Sequence, residues 1–541
     1  MKKSAICIFL SLVMLSGCAN SAGSSSAGDS QAAESSSSSA VTKTQKDNTS
    51  KPSALPFEQT VDSPVMPVLQ IVTEKDGDDA ADFITEPVAE HVSKEKAKWT
   101  PGYKKPPAPY YEACSITLDD KDGTRLIDGA SAQVKVRGNW TTAYDKKPLR
   151  IKFDEKQSVL SLGGGEKQKN WLLLAEYKDG SMLRNRSALS ISDELLAVDG
   201  IYAADSQLVE VMVNGEYFGV YLLCEYNQVN KNKIDIAKPD EGYEGTDIGY
   251  FLEYDGYYYT EDELHGFKIY YNKDAALTPY NGKGTGSITP LAGGSNSVGM
   301  SIKSDVYSKE QHDFIKSYVD KVYNIMYYAA YENKAYVFND DFSEISETSA
   351  ITPQQAVEKV VNLDSLADMY IISELTCDAD IYWSSFFMYA DFGGGGDTRL
   401  TFGCPWDFDS AMGNKNRCAS AEGFYAANSL YDVNDNYRCV NPWLAVLMYC
   451  DWYTDIIRDK WTNAYDDGVF TRGIDLIDKE TQDYAAAFDR NYDKWDNIIH
   501  NEAAGELCAA SKACKTQKQA AEYLAGWLTK RVSFMNENWH K

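Results

Sequence analysis

Hydrophobic and polar positions alternate over Ala132-Gln133-Val134-Lys135-Val136 and again over Leu149-Arg150-Ile151-Lys152-Phe153. A period of two marks a strand with one buried face. Leu149, Ile151 and Phe153 then point one way, Arg150 and Lys152 the other. A turn at Gly163-Gly164-Gly165 precedes an apolar strand over Trp171 to Ala175. Ser181 is the expected N-cap of a helix over Met182 to about Val198. Leu208 to Val213 and Tyr217 to Cys224 flank Asn214-Gly215, the dipeptide whose positive φ angles suit a tight hairpin. Beyond Glu225 the chain turns polar, as a connector would.

Short strand-like runs follow at Phe251 to Tyr254 and Phe267 to Tyr271, within a Gly-, Tyr- and Asp-rich region that reads as elaborated loops. Ser308 to about Asn333 has helical spacing, with Phe314, Tyr318, Val322 and Ile325 as the buried stripe. Leu363 to Leu375 reads as another helix. Two strands, Phe386 to Ala390 and Arg399 to Phe402, are joined by a glycine turn. Acidic loops flank that hairpin: Cys377-Asp378-Ala379-Asp380 before it and Pro405-Trp406-Asp407-Phe408-Asp409 after it. Folding the hairpin brings Asp380 towards Asp407 and Asp409. From Asn441 onward, three helical stretches are expected: Trp443 to Tyr465, Gly473 to Ile499 and Thr516 to Trp539.

Charge narrows the function classes. There are 53 basic and 80 acidic residues, a net charge of −27, which opposes nucleic-acid binding because phosphates require a basic surface. Five histidines leave little room for His-rich metal sites, whereas carboxylates are plentiful and suit magnesium, calcium or manganese. Residues 1–18 read as a secretory signal: Lys2 and Lys3, an apolar run from Ala5 to Leu15, then Leu15-Ser16-Gly17-Cys18. That last run resembles a bacterial lipobox, with Cys18 as the lipidated residue. Residues 19–56 are Ser- and Ala-rich and read as a flexible tether. The expected location is the outer face of a bacterial membrane, held by a lipid anchor only. Of the later cysteines, Cys508 and Cys514 are spaced to bridge, and buried free thiols are expected for most others.

The order strand with an outward lysine, helix, hairpin and connector resembles the small lobe of a protein kinase, and the acidic hairpin resembles its catalytic and metal-binding loops. Several segments are similar to the CotH family of spore-coat kinase-like proteins. They are Val136-Arg137-Gly138-Asn139-Trp140, Lys147 to Phe153, Asn170 to Ala175, Met182-Leu183-Arg184-Asn185, Asn214 to Tyr221 and Pro405 to Asp409. The resemblance implies an α+β, two-lobed protein-kinase-like fold, with a β-rich N-terminal region and small lobe over 57–235 and a mainly helical large lobe over 236–541. It implies transfer of a phosphate from ATP, with Mg²⁺ or Mn²⁺, to Ser or Thr of a protein at the cell surface.

By the same resemblance, Asp380 is the catalytic aspartate, Asp407 and Asp409 hold metal, and Lys152 holds the nucleotide phosphates. Its acidic partner is Glu194 or Glu225, with Glu225 the favoured nucleotide-site residue. Asp378 stands where the family often has Asn. Arg137 and Arg184 fit structural ion pairs and phosphate contacts equally. No glycine-rich loop precedes Lys152, so nucleotide contacts are expected to differ from those of ordinary kinases. Two other classes remain open. One is a non-catalytic kinase-like module binding polysaccharide or a surface protein, for which 37 tyrosines and 11 tryptophans offer stacking surfaces. The other is a glycosidase using paired carboxylates.

Overall fold

The alternation read from Ala132 onward belongs to a ring of seven strands. The computed structural model describes residues 61–541 other than 76, 78, 270–275, 283–290, 293–297, 433–436 and 497–504. The signal segment, Cys18 and the tether therefore lie outside the described residues. The strands are β1 (Val68–Thr73), β2 (Glu112–Asp119), β3 (Arg125–Val136), β4 (Leu149–Gln157), β5 (Gln168–Leu174), β6 (Ser206–Val213) and β7 (Glu216–Glu225). They pair in the order β1-β2-β3-β4-β5-β7-β6 and close as a barrel. All neighbours are antiparallel except β1 and β6, where Leu69 lies opposite Val211.

The two-lobed, protein-kinase-like architecture expected from the element order is not what forms. A closed seven-stranded barrel occupies the N-terminal half, and a helical part forms the C-terminal portion. The cause is β1, whose backbone bonds both β2 and β6 and leaves the sheet no free edge. Neither β1 nor β2 shows in the pattern read from Ala132 onward.

Side-chain alternation sorts each barrel strand. Ile71, Ile116, Val134, Ile151, Trp171, Val211 and Leu223 fill the interior. Leu172, Leu208, Val220, Leu222 and Cys224 face outward into a second, larger core. On that outer face packs α1 (Arg184–Ala197). The N-terminus of α1 differs from the expected Ser181 cap. Asp179 accepts the backbone N–H groups of Leu183 and Arg184 at 3.0 and 2.8 Å, while Ser181 Oγ accepts that of Leu183 at 3.2 Å.

The second core also covers a five-stranded sheet of β8 (Gly249–Asp255), β9 (Gly266–Lys268), β10 (Gly299–Ile302), β11 (Phe386–Asp391) and β12 (Thr401–Gly403), ordered β12-β11-β8-β10-β9. Around it lie α2 (Lys309–Tyr327), α3 (Leu363–Thr376), α4 (Asp451–Asp466), α5 (Val469–Asp483), α6 (Ala485–Lys494) and α7 (Gln517–Trp539). The helical stretch expected from Gly473 breaks at Tyr484 into α5 and α6. That break returns the chain to the barrel. Asn491 Oδ1 accepts from Val220 N and Lys146 Nζ, both at 3.0 Å, and Arg490 pairs with Glu210 at 2.7 Å. Gly219 permits this approach, because a Cβ there would lie 2.7 Å from Asn491 Oδ1. The nine described cysteines are all free and buried, so Cys508 and Cys514 do not bridge.

Helix α3 carries the site and is buried on nearly every face. Its Glu374 lies wholly inside the protein and accepts the backbone N–H groups of Tyr425 and Ala426, each at 2.7 Å. Arg531 of α7 pairs with that carboxylate and donates to the Glu374 carbonyl at 2.7 and 2.9 Å. Removing one partner strands a buried charge. Arg531→Met should therefore lower stability by roughly 3–5 kcal/mol. Urea unfolding measures this, and adding Glu374→Gln to the same chain should recover part of the loss.

Candidate active site

Asp380 follows the C-terminus of α3, and Asp407 and Asp409 follow β12. The hairpin between them pairs Phe387 with Gly403 and Met388 with Phe402. Antiparallel pairing returns the chain to its starting point, so the two acidic loops finish side by side. One carboxylate oxygen from each of Asp380, Asp407 and Asp409 lies within 4.8 Å of the other two. Asp409 is buried, and Asp380 and Asp407 are half-buried.

The loops are held by residues far off in sequence. Cys377 ends α3 in the left-handed conformation, with φ 46° and ψ 51°. Asp378 Oδ1 then accepts the N–H of Asp380 at 3.0 Å. Asp407 is also left-handed, at φ 72°, a conformation aspartate tolerates better than most residues. Asn185 fixes that turn, its Oδ1 accepting the Phe408 N–H at 2.7 Å while its amide donates to Glu176 at 2.9 Å. Arg184 is buried, pairs with Asp179 and donates to the Met412 carbonyl at 3.3 Å. Its role is thus structural. Asn414 donates to the Asp409 carbonyl at 2.6 Å and to the Lys178 carbonyl at 3.0 Å.

Electrostatics divide the carboxylates. Burial, with repulsion from Asp409 and Asp380, pushes Asp407 up to about 7. Burial, with repulsion from the nearby Asp380, raises Asp378 well above its ordinary value. Burial would raise Asp380 too, but Lys415, Lys178 and Arg417 outweigh it and hold the group below its usual value. Lys178 Nζ lies 3.0 Å from Asp409 Oδ1 and donates to Ser410 Oγ at 2.8 Å. Arg417 lies 3.7 Å from Asp380 and over the Trp383 ring, 4.6 Å from its centroid.

The arrangement is an acid cluster ringed by cations, in a chain that matches the CotH kinase protein family over residues 134–535. The chain belongs to the CotH kinase family. No curated protein matches it. Membership supports a kinase-like enzyme at the level of the family, and such kinases use ATP with a divalent metal. The residues of this CotH-family chain fit that ion. Asp407 and Asp409 offer hard oxygen donors beside Asp380, and the repulsion among the three carboxylates is what a divalent cation relieves.

Asp380, Asp407 and Asp409 are brought together, and the other sequence-read candidates are dispersed. Lys152 lies on the outer face of β4, with its ammonium 5.8 Å from the Tyr111 ring. Glu225 is buried at the end of β7, opposite the inward-facing Trp171. It pairs with Lys233 at 3.4 Å and accepts from Gln168 at 2.5 Å. Glu194 pairs with Arg472 on the surface. Arg137 does reach the site. Its guanidinium sits 6.0 Å from the Trp406 ring, and its charge acts on Asp407.

Lys178, Lys415, Arg417 and Glu506 complete the cluster and were not singled out in the sequence. Their one sequence signal is that Lys178 sits three residues before Ser181-Met182, within the stretch joining two family-like segments.

A metal ion needs Asp407 deprotonated, so its affinity should rise as pH rises through about 7. Calorimetric Mn²⁺ affinity should be roughly tenfold weaker at pH 6 than at pH 8. Asp407→Asn should flatten that dependence.

Proposed function

We propose that this chain is a surface-tethered atypical protein kinase that moves the γ-phosphate of ATP to Ser or Thr of surface or secreted proteins. The observation that carries this reading is the convergence of Asp380 with Asp407 and Asp409, with Lys178 at their edge. Asp380, kept ionised by its cations, accepts the proton of the acceptor hydroxyl. The acceptor oxygen forms a new bond to the γ-phosphorus, the β–γ bridging bond breaks, and ADP leaves. Asp407 and Asp409 hold Mg²⁺ or Mn²⁺, which when bound supplies charge neutralisation on the phosphates. Lys135, Arg150 and Lys152 alternate with inward residues of β3 and β4, so they share the barrel's outer face, and Arg137 follows β3 directly, its N–H donating to the Pro148 carbonyl. Arg137 stands nearest the aspartates. This run of cations, with Lys152 at its far end, suits the phosphates of the nucleotide.

A second reading, a module that binds polysaccharide or a surface protein without catalysis, draws on exposed aromatics. Trp99 is 47% exposed and stacks on Trp140 at 5.8 Å, and Tyr259 is 68% exposed.

The tether belongs to the proposal as well. Among the described residues no helix is long and apolar enough to cross a membrane. The lipobox-like Leu15-Ser16-Gly17-Cys18 supports attachment through Cys18. Cys18→Ala should release the protein from the membrane fraction or block its processing. A variant still cut and still membrane-bound would end that part of the proposal.

The chemistry has its own test. Asp380→Asn should retain Mn²⁺-dependent ATP binding and lose roughly 10²–10⁴-fold in turnover, the usual weight of a general base. Labelled ATP with the surface proteome as acceptor measures this. Full phosphotransfer by the variant would remove Asp380 from its role. If the unmodified protein binds no nucleotide with any metal, the binding-module reading takes its place.

A further inference from the structure

Glu506 belongs to none of the sequence motifs, yet it meets both parts of the protein at the site. It lies in the segment ahead of Cys508, which runs beside the loop that follows the aspartates. Leu507 bridges to Lys415, and the Cys508 N–H donates to the Asn414 carbonyl at 2.7 Å. One oxygen of Glu506 accepts from the Tyr144 hydroxyl at 2.9 Å. The other lies 3.3 Å from Lys415 Nζ. Tyr144 sits between β3 and β4, so this carboxylate links the barrel to the metal-side loop.

Of the two lysines around it, Lys178 lies against Asp409 and Lys415 against Glu506 itself. Lys178 uses two of its three donors on Asp409 and Ser410. Lys415 is the largest cationic influence on Asp380. A phosphoryl group in transfer travels between the metal ligands and the base, and both ammonium groups act on that base while Lys178 also touches Asp409. Its equatorial oxygens carry the charge that such cations stabilise. Glu506 lies 3.3 Å from Lys415 Nζ, while the cation paired with Asp380 is Arg417 at 3.7 Å. Without Glu506, Lys415 would be free to pair fully with Asp380, where the acceptor hydroxyl must enter.

Building on the kinase reading, we propose that Lys178 and Lys415 form a two-lysine clamp for the transferred phosphoryl group, with Glu506 as the positioning residue that holds it open. The clamp recognises a γ-phosphate, so it distinguishes nucleoside triphosphate from diphosphate. Glu506 is 44% exposed, which makes its loss a small cost to folding.

The test is calorimetric, on the full chain with Mn²⁺, using ADP and a β,γ-imido analogue of ATP. The unmodified protein should prefer the analogue. Lys415→Met and Lys178→Met should each weaken analogue binding roughly 10–100-fold, the weight of a charge-assisted hydrogen bond, and leave ADP within about twofold. Lys415→Arg should restore most of the preference. Glu506→Gln should weaken analogue binding several-fold by itself and add nothing to Lys415→Met, because it acts through that lysine. A purely structural role would weaken both nucleotides alike and act additively. Variants that keep the preference for the analogue overturn the clamp while leaving the kinase reading intact. An unmodified protein that binds neither nucleotide overturns both.

Discussion

The site depends on holding several carboxylates together where water is scarce. Two unit charges 4.8 Å apart repel by roughly 3.5 kcal/mol at an effective dielectric constant of 20. Three aspartates at that spacing would drive one another to protonate, and Asp407 shows the start of that response. The surroundings answer with Lys178, Lys415, Arg417 and Arg137. These cations leave Asp380 ionised and Asp407 near neutrality in its titration. One cluster therefore contains both a ready base and a ligand that completes its ionisation when a cation arrives.

Keeping such a cluster in place requires a scaffold that cannot relax. Asp407 and Cys377 sit in left-handed backbone, a conformation that persists only where neighbours over-determine it. Asn185, Arg184 and Asn414 do so through hydrogen bonds to Phe408, Met412 and Asp409. Beneath them, Glu374 and Arg531 anchor α3 in the helical part with a fully buried and fully bonded ion pair. From the other side, α6 and the segment around Glu506 reach back to the barrel through Asn491, Arg490 and Tyr144. The site is thus a seam between barrel and helical part, and few of its supports are local in sequence.

Family and fold carry different weight here. Membership in the CotH kinase family supports kinase-like chemistry, while the barrel replaces the architecture that element order implied. A fold hosts many functions, so the functional argument rests on the aspartates and their cations, not on the barrel.

Much was legible because it is local. The period-two runs at Val134 and Ile151, the Asn214-Gly215 hairpin and helix α3 follow from side-chain alternation, turn chemistry and helical spacing. The juxtaposition of Asp380 with Asp407 and Asp409 also follows, since a hairpin of matched strands must return its ends to one place. The rest depended on contacts between distant segments. Strand β1 closes the barrel only by meeting β6, about 140 residues away, and no local pattern encodes that pairing. The alternation put Lys152 on the strand face away from Leu149, Ile151 and Phe153, which form one core, but could not say what stood opposite it. Lys178, Lys415 and Glu506 look like ordinary surface charges in the sequence, where Lys and Glu are usually solvated. The importance of the two lysines comes from the half-buried seam in which the tertiary structure sets them, with Glu506 at its exposed rim, because charge there acts strongly on neighbours that chain order keeps far apart.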